Sequence, residues 1–450
     1  MKTDYIQLIS FGATLNKREG MPLRIFVVRV IAIVMVLAPA GAWAAAGNLD
    51  SRFGTGGVTV TDFSTTEDYS SAVKVQPDGK IIVAGYSGIY PDFHAALVRY
   101  TSDGRLDSTF GTGGKVVATF DSNGDDLSAI ALQADGKIVA AGSIHGTAFL
   151  LARFNADGSL DQTFGNNGKV VTTFGDRTAA AADVVLQADG KIIAVGVSGA
   201  GPYSELNDFV LARYNAGGGL DPSFGNGGKV KTHFQGVYNT GSTATCVALQ
   251  PDGKVVVGGF YKNEGTPRQF ALTRYNSNGS LDSTFGNSGK VVTFAGSGDA
   301  FAAAIVLQNN GRIVLAGYSY TQGHDFSLAG YNPNGTLDST FGNGGFMATD
   351  FSGSSDDIAY AITMQSDGKL VVGGRTGHYP EFNFAVARYS SDGQPDQSFG
   401  TGGKVTTDLG STDDGYAVAL QRNGMIVLAG ISFNGSNFDF AAARYLGRGR

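Results

Sequence analysis

Leu106-Asp107-Ser108-Thr109-Phe110-Gly111 belongs to a string, L-D-x-x-F-G, that returns every 54 to 61 residues along this chain. Its aspartate and phenylalanine fall at Asp50/Phe53, Asp107/Phe110, Asp161/Phe164, Asp221/Phe224, Asp282/Phe285 and Asp338/Phe341. A seventh copy, Asp396/Phe399, has Pro395 in place of the leucine. Seven Gln-x-x-Gly turns alternate with these strings, from Gln76–Gly79 to Gln421–Gly424. A period of this length marks an array of one supersecondary unit that cannot bury its own faces alone.

Four strand-like runs fill each unit. In the second they are 115–120, 128–133, 137–141 and 148–154, here called a, b, c and d. All are short, rich in β-branched and aromatic residues, and bounded by Gly, Asp and Asn, which is the signature of strands. Several are apolar on both sides, so the sheets must be covered on both faces. The expected fold is all-β: a seven-bladed β-propeller of four-stranded antiparallel blades. Taking strands a to d as one blade places the blades at about 54–100, 111–154, 165–214, 225–275, 286–331, 342–389 and 400–445. A linear β-solenoid is the alternative, but it needs atypical polar caps. The first and last repeats look like the others. In a ring, Asp50 and Phe53 would supply the connector that the seventh unit lacks.

Composition agrees. Of 450 residues 67 are Gly, and 16% are charged, against usual shares of about 7% and about 25%. That suits tight turns between short strands and excludes a helical bundle. A single Cys excludes a disulfide framework and a cysteine zinc site. The net charge of −6, without a basic run in the repeats, argues against nucleic acid. Residues 1–44 read as a signal peptide, with Met21 a possible initiator, Arg24 and Arg29 before an apolar stretch, and Ala42-Trp43-Ala44 as the cleavage site. Export to the periplasm, cell surface or medium is expected, with no transmembrane segment after cleavage.

The L-D-x-x-F-G-x-x-G string and the D-G-K turn, for example Asp135-Gly136-Lys137, resemble those of the delta-60 repeat family of bacterial proteins over about residues 45–445. The resemblance implies a propeller-like fold and export, and brings no catalytic residue with it.

Spacing separates two faces. From the aromatic ending strand d to the next L-D-x-x-F-G phenylalanine is ten residues at all six junctions, and the b–c turn never changes length. The c–d segment varies from 18 to 24 residues and the a–b segment from 12 to 16. In an antiparallel blade a–b and c–d lie at one end, so one face carries all the variation, and binding favours variable loops on a rigid scaffold. The c–d loops offer Tyr90, His94, His145, Tyr203, Tyr261, Tyr320, His324, His378 and Tyr379 as ligand-binding candidates. The a–b loops are acidic, with Asp68, Asp125, Asp126, Asp299, Asp356, Asp357, Asp413 and Asp414. With strand a innermost, these carboxylates would approach the axial mouth and could hold Ca²⁺; as turn-capping residues they would be structural. The arginine that recurs before the last aromatic of strand d, with Gly330 as exception, is expected to pair with the L-D-x-x-F-G aspartate.

No G-x-S-x-G, Walker or H-E-x-x-H motif is present, and no organic cofactor is implied. The expected function is an exported, monomeric, non-enzymatic propeller that recognises a glycan, a cell-envelope component or a protein. The alternative is a propeller hydrolase or lyase with an axial site built from His and carboxylates of several blades.

Overall fold

A computed structural model describes residues 45–449 except 65–66, 90, 122–123, 201–206, 235–240, 296–297 and 321–322. The expected signal peptide, Tyr90 and Tyr203 lie outside the described residues. Residues from Ala44 onward form one compact unit of seven four-stranded antiparallel sheets. The first strands of neighbouring sheets lie against one another all the way round, the seventh against the first. This is a closed seven-bladed propeller, and the solenoid alternative falls.

Blade and repeat are out of phase. The first blade is Glu67–Val75, Ile81–Ile89, Asp92–Tyr100 and Lys115–Ala118, in that order from the inside. Strand b is therefore innermost, and strand a of the next repeat is outermost. This corrects the expected strand order and the blades drawn from it. The physical reason is the d–a connector. It is a hairpin and not a crossover, because strands d and a zip directly together: the Arg99 amide donates to the Gly114 carbonyl at 2.9 Å and the Asp107 amide to the Arg99 carbonyl at 2.9 Å. The a–b segment is the link that passes between blades. The ring closes in the same way, with Val58–Thr61 as the fourth strand of the blade whose other strands are Asp413–Leu420, Ile426–Phe433 and Phe438–Tyr445.

The L-D-x-x-F-G hairpin is locked by charge. Arg99 Nε donates to Asp107 Oδ2 at 2.7 Å, and its guanidinium lies 4.6 Å from the Phe110 ring centre. The same pairing recurs at Arg153–Asp161, Arg213–Asp221, Arg274–Asp282 and Arg388–Asp396, and Arg444 reaches Asp50 at 3.0 Å. Where Gly330 replaces the arginine, Arg312 arrives from the b–c turn and meets Asp338 at 2.7 Å. Lys137 and Thr163 donate to Asp161 and, against the opposing effect of burial, hold its carboxyl well below the usual range. A second latch joins blades: Tyr214 donates to Thr172 Oγ1 at 2.8 Å, and Tyr275, Tyr389 and Tyr445 repeat the contact.

Each inner strand carries a β-bulge at the same place, and the extra residues are Ser71, Ser128, Ala182, Thr245, Ala303, Tyr360 and Tyr416. A bulge pushes a carbonyl out of line, and a glycine on strand c makes room for it. A Cβ at Gly85 would sit 1.9 Å from the Tyr69 oxygen, and one at Gly430 would sit 1.8 Å from that of Asp414.

Candidate binding site at the axial mouth

The seven bulge residues form a constriction on the axis. On the b–c side of it lies a chamber of about 250 Å³ lined in part by Lys74, Asp183 and Cys246. Cys246 is buried, as its place among small apolar residues implies. Asp183 accepts from the Val247 and Val184 amides at 2.9 and 2.8 Å. Burial raises its carboxyl pKa, and the Lys74 charge offsets only part of this.

On the variable face the constriction opens into a bowl of about 470 Å³. Two register positions just before the bulge supply its wall residues Tyr69, Tyr86, Phe260, Phe301 and Tyr318. On the inner strands these carry Tyr69, Asp126, Ala180, Thr243, Phe301, Ile358 and Asp414. Their partners on strand c are Tyr86, Ser143, Val197, Phe260, Tyr318, Arg375 and Ile431. Positions that are glycine in all seven blades thus stand beside positions that differ in almost every blade.

Two aromatic stacks result. Tyr69 and Tyr86 lie 5.2 Å apart at 14°, while Phe301 and Tyr318 lie 4.9 Å apart at 20°. Phe260 packs edge-on to Phe301 at 4.9 Å, and Tyr360 and Tyr416 meet at 4.9 Å between the stacks. Arg375 Nη1 donates to both oxygens of Asp414 at 3.1 Å, and its guanidinium sits 4.0 Å from the Phe382 ring centre. Tyr416 donates to Asp414 Oδ2 at 3.1 Å. Burial lifts the Tyr360 and Tyr416 hydroxyls well above the usual tyrosine range, and the Asp414 charge adds to it. Both hydroxyls are therefore protonated at physiological pH.

The expected loop residues meet this bowl unevenly. His324 Nδ1 lies 2.8 Å from Asp356 Oδ1, and its ring is 5.3 Å from Tyr318 and 5.4 Å from the half-exposed Tyr320, so this group forms part of the rim. His145 Nε2 reaches Asp121 at 2.8 Å and lines a side groove with Asp125 and Asp126. His94 contacts Thr119 at 3.2 Å. Tyr261 is buried against Phe234. His378 and Tyr379 are exposed at a hairpin tip.

Nor do the aspartates gather at one place. Asp68, Asp125, Asp357 and Asp413 hold equivalent buried posts, each accepting the backbone amide of Phe63, Phe120, Phe351 or Leu409 after strand a. They tie the a–b link to the next blade. Burial raises all four, Asp413 to about 6. Asp126 accepts from Ser143, and Asp299 is neutralised by Arg268 at 2.8 Å. Among the described residues two mixed triads do form, Asp62/Asp68/Asp439 and Asp325/Asp350/Asp357.

The sequence expectation placed binding on the variable loop face and did not include the strand residues that line the bowl. Tyr69, Phe260, Phe301, Tyr360 and Tyr416 sit on strands, hidden in an apolar pattern. A signal was present: the residue after the invariant strand-c glycine reads Tyr, Ser, Val, Phe, Tyr, Arg and Ile through the seven blades.

Residues 76–110, 133–164, 187–224, 250–285, 308–341 and 365–399 match the domain of unknown function DUF5122, a β-propeller. Six of the seven repeats thus match this propeller repeat of unknown function. None of the curated proteins compared with it matches. Among solved structures it is similar to an ulvan lyase of polysaccharide lyase family PL25 bound to -[GlcA(1-4)Rha3S]-, with 12% identity, 90% of this chain and 95% of that one covered, and a TM-score of 0.48. A protein of unknown function from Dyadobacter fermentans gives 12%, 87%, 100% and 0.46 for the same measures. Sqt1 from Chaetomium thermophilum, bound to the N-terminus of ribosomal protein L10, gives 11%, 86%, 98% and 0.47.

Proposed function

We propose that this repeat propeller is a non-enzymatic, exported glycan-binding protein, and that the aromatic bowl is its binding site. The observation that carries the reading is the wall itself. Sugar C–H groups are weakly positive and pack on the negative faces of aromatic rings. Ligand sites are mostly apolar, with a few placed polar groups that fix orientation. Two stacks flank the axis with Tyr360 and Tyr416 between them, and the Tyr416 hydroxyl is bonded to Asp414 of the Arg375–Asp414 pair. This matches rings that are apolar in the middle and hydroxylated at the edge. The volume of about 470 Å³ accommodates a short saccharide segment and not a folded protein domain.

Glycan-array screening of the purified exported chain, followed by calorimetry on the hits, tests it. Tyr318→Ala and Tyr69→Ala are each expected to weaken the best glycan at least tenfold, while Tyr379→Ala, remote at its hairpin tip, leaves affinity unchanged. Binding that survives both bowl changes refutes the site.

A further inference from the structure

We propose that the seam where the ring closes, between Asp62, Asp68 and Asp439, is a binding site for a divalent cation of the calcium class. Three separate pieces of chain meet there. Asp62 follows the closing strand Val58–Thr61, Asp439 lies on Phe438–Tyr445 beside it, and Asp68 opens the inner strand of the first blade. One carboxylate oxygen from each lies within 4.8 Å of the other two. Oxygens that share one Ca²⁺ at about 2.3–2.6 Å stand no farther apart than about 5 Å.

The second observation is an unmet valence. Asp439 is 4% exposed; Asn434 donates to its Oδ2, but its Oδ1 is buried and accepts no hydrogen bond. A buried acceptor without a donor is costly, and a bound cation would satisfy it. Charge points the same way. Glu67 adds a fourth carboxylate, accepting the Phe438 amide at 3.2 Å, and Lys115 is the cation that acts on Asp439, with its ammonium donating to the Asp62 carbonyl. Burial, and then repulsion from Asp62 and Glu67, raises the Asp439 carboxyl. Asp62 is exposed, which gives an ion a way in from solvent. The triad Asp325/Asp350/Asp357 is a natural control, because none of its oxygens is buried without a hydrogen-bond partner as Asp439 Oδ1 is.

Calorimetry and thermal melts of chelator-treated full chain with CaCl2 decide the matter. Expected are saturable binding at sub-millimolar to millimolar Ca²⁺, as for extracellular calcium modules, and a rise in Tm that Mg²⁺ does not reproduce. Asp439→Asn should weaken binding at least tenfold. Asp62→Asn, which changes only an exposed carboxylate, should do the same and guards against loss of fold in the first variant. Asp350→Asn should leave both the affinity and the Tm rise in place. No calcium effect in the parent, or an effect that Asp350→Asn abolishes and Asp62→Asn spares, overturns the proposal.

Discussion

At the residue scale the repeats carry their own mutational record. The blade-to-blade latch needs a hydroxyl at both ends, as in Tyr214 and Thr172. In the second repeat Phe154 stands where the others have tyrosine, and its would-be partner is Ala118. Both hydroxyls are gone together. Physics predicts this, because a buried hydroxyl left alone costs more than the bond contributes, whereas removing both partners is nearly neutral. Tyr214→Phe is therefore expected to destabilise the propeller by about 1–2 kcal/mol, and Tyr214→Phe with Thr172→Ala to recover part of that in chemical denaturation. A double change as costly as the sum of the singles would show that the pair is not coupled. The charge lock has a similar substitution by position: Arg312 serves Asp338 because the Phe341 ring fills the space an arginine at 330 would need, 2.4 Å from a Cβ there. Arg312→Ala should cost roughly 3 kcal/mol, as breaking a buried pair does, and Gly330→Arg should fail to restore it.

At the element scale the bulge and its facing glycine act as one device, and they explain which glycines are irreplaceable. Gly430→Ala drives a Cβ into the Asp414 carbonyl and should lower stability by more than about 3 kcal/mol or prevent folding. Gly113, with φ of 61° and nothing within 4 Å of a Cβ, should accept Ala for roughly 1 kcal/mol, the cost of a left-handed backbone alone. Gly136 lies between them: its φ is 86° and a Cβ there would lie 3.4 Å from the Ala156 Cβ, and Gly136→Val should cost about 1–3 kcal/mol. These three melts order the glycines. Much of this level was legible in the sequence, since strand length, turn chemistry and the Arg–Asp pairing depend on local pattern. The phase of the blade was not. A ten-residue d–a connector fits a hairpin or a short crossover equally well, and only the pairing of Lys115–Ala118 with Asp92–Tyr100 separates the two. The bowl was hidden for a related reason. Half-buried aromatics such as Tyr318 and Tyr360 look like core residues until strand b is known to line the axis.

At the scale of the whole molecule two populations of aspartate oppose each other in acid. Those in the charge lock, such as Asp161 and Asp221, are held below the unfolded value of about 3.9. They stabilise the fold above that pH and lose their effect as pH falls toward about 2. The buried aspartates at blade junctions, on the axis and at the seam are raised, Asp413 to about 6. Between about 3.9 and 6 the folded chain then binds more protons than the unfolded one, so stability grows as pH drops through that window. Tm should be higher near pH 5 than near pH 8 in calorimetric scans, and Asp413→Asn should flatten the rise, about 1 kcal/mol of it being due to that residue. A Tm that falls on mild acidification would show that these carboxylates ionise as freely in the folded state as in the unfolded one. Ring closure brings a different kind of consequence. Val58–Thr61 pairs with Phe438–Tyr445, so the strand made first has its partner made last. At about 5–20 residues per second the wait is of order 20 to 80 s. Six look-alike partners emerge in the meantime, and a bare strand edge invites wrong pairing. The joint has its own markings: Val58 stands where most outer strands open with Lys, Met425 where the other b–c turns carry Lys or Arg, and Arg52 rather than that cation helps Arg444 hold Asp50. Those differences set the seventh partner apart from the six near-copies made before it.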